Sequence, residues 1–94
     1  MVYTWLNKHG VESDQGFIVQ FTGRFTAEYR ENGKIIKLEI DSGIVGSRPC
    51  IGVRKNAFNN WSTDSQVISI DDQLRIIKNF REALEFQGLA LMID

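Results

Sequence analysis

The sequence predicts an α+β domain: an antiparallel sheet of four strands, a meander with an Asn-Gly hairpin, packed by one C-terminal helix. Three observations predict it. An Asn-Gly pair sits between two alternating segments, glycines mark off a further extended stretch before them, and near Ser69 the apolar period changes from two to about 3.6. Ninety-four residues, 43% hydrophobic and 24% charged, make one domain, 1–94, of ordinary globular composition. A chain of that length buries roughly two thirds of the surface it exposes when unfolded, enough for a core without a metal or disulfide staple.

Residues 1 to 15 have no clear period and are expected to form a mobile N-terminal segment. The first strand is GFIVQFTG, with Phe17, Val19 and Phe21 on one side and Ile18 and Gln20 on the other. RFTAEYRENGKIIKLEID follows, with Asn32 and Gly33 suited to the positive φ angles of a type I′ turn. That turn sets the register. It opposes Tyr29 to Ile36, Ala27 to Leu38 and Phe25 to Ile40 on an apolar face. The other face then carries two opposite-charge pairs, Glu28 with Lys37 and Arg24 with Asp41. SGIVGSRP reads as a loop, and CIGVRKNAF as the fourth strand.

From Ser69 onward Leu74, Ile77, Phe80 and Leu84, flanked by Ile76 and Ala83, define an apolar stripe, with Arg75, Lys78, Glu82 and Glu85 on the remaining arc. Ser69 with Asp72 resembles a capping box, Asp71 and Asp72 suit the positive end of the helix dipole, and Gly88 suits the stop, so the helix spans about residues 70 to 87. LALMID alternates and is read as a short final strand returning to the sheet.

Between fourth strand and helix stands NNWSTDSQ, one large ring among small polar residues. Trp61 has two readings. As a pin it folds against the helix and fixes the crossing. As an anchor it is an exposed hot spot whose rim is Asn59, Asn60, Ser62, Thr63 and Asp64. The pin is the expectation for the ring, with the polar neighbours free to form a binding edge.

Several classes of function are disfavoured. Walker and dinucleotide fingerprints and paired-cysteine or zincin spacings do not occur, and His9 is the sole histidine, so multi-histidine metal sites are excluded. No enzyme and no cofactor are expected, and His9 is expected at the surface. With one cysteine, Cys50, and no stretch resembling a signal peptide or a bilayer span, a reducing cytosolic setting without membrane contact is expected. The net charge is −1, and the middle of the chain is mildly basic while the C-terminal part is mildly acidic. Nucleic acid is therefore a weak prospect. Its one route is a ladder of Phe17, Phe21, Phe25 and Tyr29 on which bases of a single strand could stack. The same rings are the natural cover for the helix, and burial is the preferred reading.

The run CIGVRKNAFNNWSTDSQVISIDDQLRIIKNFREALEFQGLALMID, with its pattern "IS..D..RII.N....L.F.G", and the upstream YRENGKIIKLEIDSG resemble small immunity proteins of bacterial polymorphic toxin and contact-dependent growth inhibition systems. The likeness covers about residues 17 to 94 and rests on apolar spacing plus Trp61, Arg75, Ile76, Asn79 and Gly88. STDSQ stands where that family carries a proline-bearing segment. The resemblance implies an antitoxin that binds the toxic C-terminal domain of an effector, with no catalysis of its own. If the toxin is a nuclease with a basic cleft, acids would complement it. Partner contacts are accordingly expected at Asn59, Asn60, Trp61, Asp64, Asp71, Asp72, Glu82 and Glu85. The alternative from another class is a small single-stranded nucleic-acid binding domain.

Overall fold

The computed structural model describes residues 2 to 93. The α+β class holds, with a different count and grouping of strands. Five antiparallel strands in sequential order form the main sheet: β1 (Tyr3–Asn7), β2 (Gly10–Ser13), β3 (Phe17–Gly23), β4 (Thr26–Glu31) and β5 (Lys34–Glu39). A second sheet contains β6 (Asp41–Val45), β7 (Arg48–Val53) and β8 (Ala90–Ile93). Between β7 and β8 run a short 3-10 helix (Lys55–Phe58) and α1 (Ile70–Phe86).

The β4–β5 hairpin has the register that the Asn-Gly turn dictates. Asn32 and Gly33 have φ of 51° and 77°, and Tyr29 opposes Ile36, Ala27 opposes Leu38 and Glu28 opposes Lys37. The ladder stops earlier than expected, at Thr26 and Glu39. Ile40 donates its N–H to the Phe25 carbonyl at 2.9 Å, and the chain then turns away into β6. Asp41 therefore does not pair with Arg24, and Phe25, expected on the apolar face, is exposed beneath the Arg24 guanidinium.

Three further expectations are corrected. The stretch 1 to 15 contains β1 and β2, which extend the main sheet beyond β3. SGIVGSRP is no loop: Ser42 to Val45 belong to β6, and the chain reverses through Gly46 and Ser47 into β7. The segment read as a fourth meander strand lies instead in the second sheet, between β6 and β8; LALMID does supply a strand, over Ala90–Ile93, but it runs parallel to β7 in that sheet, and its Asp94 lies outside the described residues. A parallel neighbour needs a long crossover, and α1 supplies it.

The helix is capped as its sequence indicates. Ser69 Oγ accepts the Asp72 N–H at 3.2 Å. At the other end the N–H groups of Gly88 and Leu89 bond the carbonyls of Glu85 and Leu84, a Schellman arrangement with Gly88 at φ 82°. The buried arc differs from the expected stripe. Ile76, Phe80, Ala83 and Leu84 are buried, whereas Leu74 points to solvent. At about 100° per residue Leu74 lies roughly 130° from the centre of that arc. One core results, in which Val11, Phe17, Val19, Tyr29, Ile36 and Leu38 of the main sheet meet the helix, with Ile51 and Val53 joining from the second sheet. Phe17 stacks on Tyr29 at 5.5 Å and Phe58 meets Phe80 edge-on at 5.9 Å.

Candidate partner-binding site

The segment after the 3-10 helix is a small closed loop. The Trp61 N–H bonds the Gln66 carbonyl and the Ser65 N–H bonds the Trp61 carbonyl, with Ser65 in the left-handed region at φ 58°. Asn60 Nδ2 donates to the Ser65 carbonyl at 3.1 Å, and Asp64 Oδ1 accepts the Gln66 N–H at 3.0 Å. Asn60 also bridges Val67, while the Ile68 N–H bonds the Asn59 carbonyl. Short polar side chains thus supply the partners that a strand ladder would supply, which is why serine, asparagine and aspartate dominate here.

The loop lies against the edge of β5. Ser62 donates its N–H to the Ile35 carbonyl at 2.7 Å, and its hydroxyl accepts the Lys37 N–H at 2.9 Å. Lys34 reaches over the loop, with its ammonium 5.6 Å from the Trp61 ring centre and 2.7 Å from Gln66 Oε1. Trp61 itself is 8% exposed and belongs to the core. The ring is a pin.

Beside the loop a polar cluster ties α1 to β4. Arg75 forms a two-pronged contact with Glu31, Nη1 to Oε1 and Nη2 to Oε2, the latter at 2.8 Å. The Tyr29 hydroxyl donates to Glu31 Oε1 at 2.8 Å and accepts from Asn79 Nδ2 at 3.1 Å. The hydrogen-bonded guanidinium holds the Glu31 carboxyl below its usual range, and burial pushes the Tyr29 phenol well above its own. All four side chains are thereby occupied with one another. Arg75 and Asn79, placed on the outer arc or matched only by resemblance, are structural ties.

The remaining expected contact residues fall into two groups. Asn59, Asn60 and Asp64 lie exposed in the loop, and Asp71 and Asp72 are exposed in the first turn of α1, where Asp72 stands 3.6 Å from Arg75. Glu82 and Glu85 are separate, near Tyr3 of β1, whose phenol is raised to about 12 by burial first and then by the charges of Glu82, Asp14 and Glu85. At 1.5 Å per residue roughly 15 to 20 Å of helix separates Glu82 and Glu85 from Asp72. His9 is exposed, and Cys50 is a buried free thiol on β7.

Sequence reasoning missed the apolar side chains of the first group. Val67, Ile70 and Leu74 are 76%, 68% and 63% exposed. Ile70 and Leu74 stand one turn apart on the same side of α1, with Asp71 and Lys78 beside them. The signal was available in the angle between Leu74 and Ile76, about 200° at helical spacing, which forbids burying both. Of the aromatic ladder, Phe17 and Tyr29 are fully buried and Phe21 is partly so. Those two rings offer no stacking platform.

No family model, curated protein or solved structure matches the chain. Among the described residues no helix is long and apolar enough to cross a membrane.

Proposed function

We propose that this protein is an immunity protein that binds the toxic C-terminal domain of a bacterial effector in the cytosol and neutralises it by covering its active site or substrate surface. The carrying observation is the exposure of three large apolar side chains, Val67, Ile70 and Leu74, within one stretch of chain that also exposes Asn60, Asp64 and Asp71, with Val67 bridged to Asn60. An apolar centre within a polar rim is the composition of a binding hot spot, and large side chains left this exposed contribute nothing to the core. The anchor role considered for Trp61 passes to these three, while the polar loop that Trp61 holds supplies part of the rim. The protein acts by occupation, without a catalytic step or a cofactor. The acids of the first group add complementary charge toward a basic cleft, such as that of a nuclease, and speed association.

The test is co-expression with the C-terminal domain encoded by the immediate upstream gene, reading growth and co-purification. Rescue with a one-to-one complex is expected. In that complex an Ile70→Glu, Leu74→Glu double variant should keep its circular dichroism spectrum and lose affinity on the order of a hundredfold. A toxic neighbour that is neither bound nor relieved counts against immunity. Unchanged affinity in the double variant counts against this surface.

A further inference from the structure

We infer that the protein pairs with a second copy of itself through β6, as two antiparallel strands related by a two-fold axis at Gly43. β6 is an edge strand with all five residues exposed, and among the described residues none of its backbone groups bonds outside its own sheet. The two-residue connection Gly46-Ser47, with φ of 63° at Gly46, makes Val45 and Arg48 the closing pair of the hairpin. In such hairpins the closing pair exchanges both backbone hydrogen bonds, and bonded and non-bonded pairs then alternate. Gly43 with Cys50 and Asp41 with Gly52 are therefore bonded pairs. Ser42 and Ile44 turn their N–H and C=O groups outward.

This edge lacks the usual guards. DSGIV contains no proline and no lysine, and its register with β7 has no bulge. β1, by contrast, is interrupted by a register shift between Trp5 and Asn7, and β5 is covered by Ser62.

A second β6 fits better than an arbitrary strand because the segment is complementary to itself. About Gly43, Ser42 of each copy opposes Ile44 of the other, and these are the residues whose backbone groups are free. Four main-chain hydrogen bonds form. The central pair is then Gly43 with Gly43, at the non-bonded position where strands approach most closely, about 4.5 Å between Cα atoms. Asp41 opposes Val45, so the like charges are kept apart. Val45 in turn lies beside Arg48 on the same face, which places Asp41 of the second copy about 10 Å, Cα to Cα, from Arg48, within reach of an arginine. Within one subunit Asp41 and Arg48 are roughly 14 Å apart along the hairpin, and among the described residues neither has an ion-pair partner. The pairing also covers Ile44, 75% exposed, and Val45. The contact is small beside a standard interface of about 800 Å² per partner, so a dissociation constant between about 10 µM and 1 mM is expected.

Sedimentation velocity of the isolated protein across that concentration range tests the inference, independently of any toxin. A monomer–dimer equilibrium is expected. Ile44→Pro removes one outward N–H in each copy while sparing the hairpin's own bonds, and should weaken dimerisation on the order of tenfold to a hundredfold. Asp41→Arg and Arg48→Asp should each weaken it, and the double exchange should restore it. A protein monomeric to 1 mM overturns the inference. So does a dimer indifferent to Ile44→Pro, or one that the double exchange fails to rescue.

Discussion

The edge of β5 and the edge of β6 lie at either end of one short connection, and only the first is covered. At β5, Ser62 provides both an N–H and a hydroxyl oxygen to the strand, and Trp61 next to it is buried, so that two polar contacts are held in place by an apolar one. At β6, among the described residues, no backbone or side-chain group from outside its sheet bonds the strand. After the hairpin the backbone passes through β7 into the 3-10 helix and away. Covering an edge thus takes more than polar residues nearby: it takes an apolar side chain that fixes where they sit.

Removing that side chain should break the comparison most severely. Trp61→Ala is expected to cost about 3–5 kcal/mol in urea unfolding, the range for deleting a buried large aromatic ring. If the ring were only an anchor for a partner, stability would be unchanged. Ser62→Ala acts on the polar half alone, and should cost about 1 kcal/mol because the Lys37 N–H loses its acceptor and turns to water.

A smaller effect concerns the tie between α1 and the sheet. The Glu31 carboxyl is held below its ordinary value of 4.5 by Arg75, so the stability it contributes is present in full above that value and is lost as pH falls through the lowered one. Glu31→Gln should therefore flatten the acid limb of a stability–pH curve and leave its shape near pH 7 unchanged. The least effect is expected on the bare edge: Ile44→Pro should change monomer stability by no more than about 0.5 kcal/mol, since the lost N–H faces solvent. A large loss there would mean that β6 is not bare.

Much of this was legible in the residues. The β4–β5 pairing from Thr26 to Glu39 follows from Asn32-Gly33 because a two-residue turn leaves one register that puts Ala27, Tyr29, Ile36 and Leu38 on the same side. Of the candidate site, the loop's polar character and the exposure of Asp64, Asp71 and Asp72 were legible, whereas its apolar centre was not. Leu74 and Ile76 are both apolar, and composition does not say which of two overlapping stripes faces the sheet. Phe80, Ala83 and Leu84 settle it by packing with Ile76.

What the sequence determined by itself is what neighbours along the chain decide: the Asn-Gly turn, the Ser69 cap, the Gly88 stop and the change of period between them. These depend on dihedral preferences and hydrogen bonds that reach only a few residues. Only the tertiary structure decided that β8 lies parallel to β7, that Ser62 closes the edge of β5, and that Arg75 reaches across to Glu31 while Leu74 stays uncovered. Each joins segments far apart in sequence, and is selected by which surfaces remain uncovered once the local elements have formed.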